Sequence, residues 1–241
     1  MSRRRILLAN QTQGGGGFSP LDLSPNLWLD ATDATTITEV SGDVSQWNDK
    51  SGNGNNVSQS VSTNRPSNGG TLNGNNVIDW GSTTNSKLLI LNGGANADNW
   101  QDVYIVGKWD DGDTTFGSGS GVFCASSSSG TSAGIGLIGA SNNSYFFSSL
   151  KWYNNLYLNE LPISSNQAVL GVTNTIANAF HLSFSSNNPI GVFGITLGSF
   201  NLNTTNNGWR GVIGEVVAFP RKLSDTERGQ MNTYLKNKWG L

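Results

Sequence analysis

Carboxylates come first, because retaining hydrolysis of a glycosidic bond needs two of them roughly 5 Å apart, usually at alternate positions of one strand. The glutamates are Glu39, Glu160, Glu215 and Glu227. Glu215 stands alone in an apolar stretch and Glu227 is accounted for by a helix cap. The densest acidic cluster, Asp110, Asp111 and Asp113, offers hard oxygen ligands of the kind calcium takes. It also follows Trp109 at a strand end and lacks EF-hand spacing, so a hairpin turn is the competing reading. One histidine, His181, and one cysteine, Cys124, exclude a zinc site built on Cys or clustered His and an intramolecular disulfide framework. His181 has no Gly-x-Ser-x-Gly elbow to serve. Gly117-Ser118-Gly119-Ser120-Gly121 lacks the Lys-Ser/Thr ending of a phosphate loop. The expectation is a protein that is not an enzyme and requires no cofactor, with calcium as the alternative.

Binding chemistry has better material. Tyr145, Phe147 and Tyr153 fall on one face of a run in which Phe146, Leu150 and Trp152 take the other, so one aromatic set lies outside the central core. Tyr145, Phe147, Trp152 and Tyr153, with the amides of Asn154 and Asn155, are the candidate glycan site: rings stack on sugars and amides meet hydroxyls. The competing reading covers these rings with long loops or a neighbouring subunit.

The elements that must position such groups are strands. Of 241 residues only 12% are charged, about half the usual share, and the polar surface is built from Asn, Ser and 31 glycines. Short β-rich runs alternate with clusters such as Ser51-Gly52-Asn53-Gly54-Asn55-Asn56 and Asn73-Gly74-Asn75-Asn76, which tolerate positive φ or make Asx turns. This pattern predicts an all-β sandwich. The expected strands cover 26–30, 44–49, 77–80, 87–91, 102–109, 121–125, 144–153, 167–173, 179–185, 190–197 and 209–219. Phe180, Leu182 and Phe184 share one face, opposite His181 and Ser183. Val103 to Val106 and the pairs Val212-Ile213 and Val216-Val217 are apolar on both faces, so those strands are expected to be central or covered on the outer side by loops or another subunit. One helix is predicted, at the end. Ser224-Asp225-Thr226-Glu227 is a capping box, Lys236 and Lys238 suit the last turn, and Met231, Tyr234 and Leu235 supply an apolar stripe with Trp239 as anchor. Gly229 weakens that helix by about 1 kcal/mol relative to Ala.

Residues 1–20 read as a separate basic, Gly-rich arm ahead of one domain, 21–241. Arg3, Arg4, Arg5, Ile6, Leu7 and Leu8 are the candidate attachment residues, with a frayed, tethered terminus as the alternative. The apolar stretch after the arginines is too short for a signal peptide, and no run of about 18 apolar residues exists to span a membrane. A net charge of −2, with the basic cluster confined to the arm, argues against nucleic-acid partners.

Two stretches resemble a known family. Leu27-Trp28-Leu29-Asp30-Ala31-Thr32-Asp33, then residues 44–55 and Arg65-Pro66, look like the opening of concanavalin A-like, laminin-G-type jelly-roll domains. Gly214-Glu215-Val216-Val217-Ala218-Phe219, then residues 222–228 and 234–239, look like their close. The resemblance implies a two-sheet antiparallel jelly-roll sandwich with a short C-terminal helix. The family's hydrolases carry a Glu-x-Asp-x-x-Glu strand, which this chain lacks. The arm joined to such a domain is similar to virion proteins of tailed bacteriophages. That implies a capsid-decoration, head-fibre or tail-fibre protein, made in the host cytoplasm without a signal peptide and displayed on the virion surface. Its expected partners are other virion proteins, surface glycans and further copies of itself. The alternatives are a glycan-cleaving enzyme of the same fold and a cement protein with no ligand.

Overall fold

The computed structural model describes residues 17–81, 87–91, 98–109, 120–126, 132–140, 143–148, 155–163, 178–192, 194–199 and 208–241. The strands are β1 (Leu27–Asp30), β2 (Ile37–Val40), β3 (Asp43–Trp47), β4 (Val57–Ser58), β5 (Ser67–Leu72), β6 (Asn75–Asp79), β7 (Leu89–Leu91), β8 (Asp98–Trp109), β9 (Ser120–Ser126), β10 (Ser132–Ala140), β11 (Asn143–Ser148), β12 (Asn155–Leu158), β13 (Leu161–Ile163), β14 (Phe180–Val192), β15 (Gly194–Leu197) and β16 (Gly211–Phe219). They are followed by one α-helix, α1 (Asp225–Trp239). Every strand pairing among the described residues is antiparallel.

The strands follow the order β11-β10-β9-β15-β7-β4-β3-β5-β6-β16-β8-β14-β12-β13, with β1 on β16 and β2 on β3. This path doubles back on itself to make a sandwich. Phe123 of β9 packs against Trp100 of β8 and Phe184 of β14, with ring centroids 6.2 and 5.9 Å apart, although β9 is hydrogen-bonded to neither strand. The hinge region is thinly paired: β3 meets β5 at one residue pair and β6 meets β16 at two.

Two apolar layers result. The first lies inside the sandwich and takes Leu27, Leu29, Val103, Ile105, Ile213, Val216 and Ala218 together with Phe180, Leu182 and Phe184. The second lies between the outer face of β1, β8 and β16 and the helix: Trp28, Tyr104, Val106, Val212, Val217 and Phe219 against Met231, Leu235 and Trp239. The outer cover of the doubly apolar strands is therefore α1, not the loops or second subunit expected. All nine residues of β16 are buried.

A bulge sets which side of β16 carries its one charge. Ile213 faces Gly107 and Glu215 faces Val106, so β16 has one residue more than β8 at this point. Ile213 and Val216 both belong to the inner layer. The extra residue is Gly214, where an added Cβ would lie 2.4 to 2.9 Å from the Trp239 ring. Without the insertion, alternation would turn Glu215 into the sandwich core.

The sequence-predicted strands differ from the observed ones in definable ways. The run 144–153 overlaps β11 (Asn143–Ser148), with 149–153 outside the described residues, and the runs 179–185 and 190–197 fall on β14, continuous to Val192, and β15. The predicted strand 167–173 lies outside the described residues. β5, Ser-Asn-Gly-Gly-Thr-Leu, and β10, with three glycines in nine residues, are not among the expected strands. Both are strands whose backbone hydrogen bonds to neighbours outweigh poor intrinsic propensity.

Candidate functional site

The helix is tied down at three places. At its start, the Ser224 hydroxyl accepts from the Glu227 N–H while Glu227 accepts from the Ser224 N–H at 2.8 Å, completing the expected capping box. The Leu223 N–H donates to buried Asp102 at 2.6 Å. At its end, the side-chain amides of Asn73 and Asn75 donate to the Trp239 and Lys238 carbonyls at 2.7 and 2.6 Å, satisfying acceptors that have no partner within a helix. These amides are held in place by an Asn73-Gly74 turn with positive φ at both residues, the type I′ hairpin.

The third tie is a buried ionic hub. Glu215 Oε1 accepts from the Trp28 indole at 2.7 Å and the Tyr234 hydroxyl at 2.8 Å; Oε2 accepts from the Trp239 indole at 2.6 Å and pairs with Lys238 at 2.9 Å. Lys238 also donates to Asp30 at 2.6 Å and to the Tyr234 oxygen at 3.1 Å, which uses its three protons. Asp30 takes two further bonds from Thr32 and one from Lys50, which also pairs with Asp33 and sits over the Trp28 ring. Burial pushes the Glu215 carboxyl upward, against the pull of Lys238. Burial raises Asp30 too, but there Lys238, Thr32 and Lys50 win and its carboxyl lies below the usual range.

Glu215 is therefore not isolated, as its apolar strand suggested. It stands directly across from Asp30 in the β1–β16 pairing. This is the only place among the described residues where two buried carboxylates share one partner, and it is the one geometry that could resemble a hydrolytic pair. Its oxygens are all occupied, and both side chains are at most 5% exposed. The arrangement holds structure together and leaves no carboxylate free to reach a substrate.

Two open sites flank the helix thus fixed. On one side, a groove of about 720 Å³ is walled by Phe18 and Tyr234 and edged by Thr226, Gln230, Thr233 and Asn237, with Lys238, whose ammonium is held by Asp30 and Glu215, as its one charged residue among those described. Phe18 meets the Tyr234 ring edge-on, centroids 6.0 Å apart. On the other side, a cleft of about 230 Å³ separates α1 from β8, β12 and β14, lined by Tyr104, Tyr157, Ser183, Arg228 and Asn232, with Glu160 at its rim. Glu160 and Asn159 form a two-residue turn between β12 and β13, with φ of 69° and 47°, a left-handed conformation that bulky L-residues seldom adopt. Gly229 borders both sites. An added Cβ there would meet nothing within 4 Å, so packing does not require this glycine even though it costs the helix about 1 kcal/mol.

The residues singled out in the sequence fall as follows. Arg3, Arg4, Arg5, Ile6, Leu7 and Leu8, the calcium candidates Asp110, Asp111 and Asp113, and Trp152, Tyr153 and Asn154 lie outside the described residues. Tyr145 and Phe147 are on β11, opposite Ile138 and Gly136 of β10. Asn155 is on β12, opposite Ser185, to whose hydroxyl its amide donates at 3.4 Å. Among the described residues no group of three or more His, Cys, Asp or Glu side chains is placed to hold a metal, and no helix is long and apolar enough to cross a membrane. His181 is fully buried, on the helix side of β14 opposite Val106. Its two ring nitrogens have no hydrogen-bond partner, and burial lowers its pKa to about 4.

The sequence reading missed the groove because its two walls are far apart in the chain. Phe18 falls within the arm and Tyr234 within the helix's apolar stripe, and Thr226, Gln230, Thr233 and Asn237 carry no binding motif of their own. The available signal was the choice of neutral Thr226, Gln230, Thr233 and Asn237 where a helix surface usually carries charge.

No protein-family model matches the sequence, and no curated protein matches it. Among solved structures, the chain is similar to Trypanosoma rangeli sialidase in complex with the inhibitor DANA, at 11% identity and a TM-score of 0.45, over 86% of this chain and 32% of that one. It is likewise similar to the same organism's sialidase in complex with a 2,3-difluoro-KDN ligand, at 14% identity and a TM-score of 0.45, over 97% and 36%. The chain spans about a third of the length of these sialidases.

Proposed function

We propose that this protein is a non-enzymatic, glycan-binding display domain of a bacteriophage virion, a jelly roll of the concanavalin A-like kind whose sugar site is the groove on α1. The observation that carries the reading is the groove's lining. Phe18 and Tyr234 present rings for stacking, and Thr226, Gln230, Thr233 and Asn237 present neutral donors and acceptors, the combination that recognises a sugar's apolar face and its hydroxyls. A charge-poor composition serves the same end. The closed state of the Asp30–Glu215 pair speaks against turnover.

The virion assignment rests on the basic arm and its likeness to phage proteins. Residues 1–16, ahead of the Phe18 that walls the groove, serve as the anchor to capsid or tail, and the sandwich faces outward from the particle. Further virion proteins and other copies of the chain are its neighbours there.

A glycan array with the parent protein and with Phe18→Ala and Gln230→Ala tests the binding. The parent is expected to retain glycans, and each variant to lose at least five-fold in affinity. Product analysis on retained glycans should find them intact; cleaved product would make the glycan-cleaving reading the right one. An array with no retained glycan would leave the cement protein. Deleting residues 2–16 should abolish incorporation into particles while leaving the melting temperature unchanged, and normal incorporation would remove the anchor role.

A further inference from the structure

The geometry points to one continuous path for a neutral oligosaccharide, running from the groove across α1 at Gly229 into the cleft beyond; this rests on the glycan reading of the groove. The two sites lie on opposite flanks of the helix and share one bordering residue, Gly229. A side chain at that position would meet no protein atom within 4 Å at its Cβ, and its backbone is ordinary helix. The glycine therefore answers neither to packing nor to backbone conformation. What it keeps clear is the passage between groove and cleft.

The far end is equipped for a hydroxyl-bearing ligand. Asn232 lines this cleft, and its side-chain oxygen is buried beside it without a hydrogen-bond partner. Tyr157, Ser183 and Arg228 bring further polar groups to the same space. Formal charge is balanced: Arg228 pairs with Asp225, and Lys236 with Glu160 at 2.7 Å. In the groove, Lys238 is likewise held by Asp30 and Glu215, and sites whose charges are already paired favour a neutral polyol over an acidic sugar. With one ring in the groove, one in the cleft and a helix roughly 10 Å across between them, the ligand needs about three sugar units or more.

The test uses an array of neutral and sialylated glycans of one to eight units, read with the full chain and with Gly229→Ala, Gly229→Gln, Tyr157→Phe and Phe18→Ala. Both Gly229 variants should melt no lower than the parent, because Ala and Gln favour the helix. For neutral glycans of three or more units, Gly229→Gln should lower affinity at least ten-fold and Tyr157→Phe about three-fold. Mono- and disaccharides, which fill the groove alone, should bind Gly229→Gln as they bind the parent and be lost with Phe18→Ala. Loss with Phe18→Ala but unchanged long-chain affinity in Gly229→Gln would overturn the path and leave the groove standing. Retention of sialylated glycans alone would overturn the neutral class. An array that retains no glycan would overturn the path together with the groove reading.

Discussion

Asp30 and Glu215 lie directly opposite each other on β1 and β16 and are joined through the Lys238 ammonium, 2.6 Å from one and 2.9 Å from the other. The pair welds three distant parts of the chain: the first strand, the last strand and the end of the helix. A buried charge pair is seldom a large net stabiliser, because desolvation offsets most of the attraction. Breaking one is a different matter, since the remaining charge has no water to turn to.

Glu215→Gln tests this directly. The amide keeps one acceptor oxygen for Trp28 and Tyr234 but turns an NH2 toward the Trp239 indole and Lys238, both of which are donors. The expected loss is about 3 kcal/mol, measured as a fall in urea midpoint at unchanged m-value. A loss below about 1 kcal/mol would mean that the hub does not hold the helix.

Gly214→Ala should act on the same hub from the backbone side. A methyl group 2.4 to 2.9 Å from the Trp239 ring must push the indole away from Glu215, at a cost of about 2 to 3 kcal/mol. Gly229→Ala is the matched control, expected to gain up to about 1 kcal/mol. Equal effects of the two substitutions on the urea midpoint would show that the close approach at Gly214 is not what requires glycine there.

The helix was legible because its signals are local: a capping box within four residues, basic residues in the last turn and an apolar stripe. The doubly apolar β8 and β16 were legible too, and their need for cover pointed outward to something. The hub was not. Trp28 and Glu215 are 187 positions apart, and Asp30 and Lys238 are 208 apart. The bulge at Gly214 also breaks the alternation from which Glu215's direction would have been read. The same residues that carry the family resemblance, Trp28 to Asp30 at one end and Glu215, Tyr234, Lys238 and Trp239 at the other, are the ones that meet there. The cleft was hidden for a further reason. It is formed by β8, β12 and β14 meeting α1, and no single segment shows it.

Tyr234 has two roles that one substitution separates. Its hydroxyl belongs to the hub, donating to Glu215 and accepting from Lys238, while its ring walls the groove beside Phe18. Tyr234→Phe should cost about 1 to 2 kcal/mol of stability by removing the hydroxyl, yet leave glycan affinity within about two-fold of the parent. Collapse of binding with the ring still present would show that stacking is not what Tyr234 contributes.

Two buried groups beneath or beside the helix give opposite pH dependences over the same range. Burial pushes Asp102 up to about 6, against the Leu223 N–H, Arg228, Lys222 and Ser185, all of which favour its charge. Burial pulls His181 down to about 4. For Asp102 the folded pKa is raised, so its contribution is fully present below about pH 4 and is lost as pH rises through 6. For His181 the folded pKa is depressed, so its contribution is present above about pH 6.5 and is lost as pH falls through 4. Each is worth about 3 kcal/mol across the interval, and between pH 4 and 6 they nearly cancel. Asp102→Asn, which keeps an acceptor for Leu223, should therefore gain stability relative to the parent as pH rises from 4 to 7. His181→Leu should lose stability relative to the parent over the same rise, and the double variant should track the parent. Urea midpoints at half-unit pH steps decide it: single variants whose difference from the parent stays flat would show that neither group titrates differently in the folded chain.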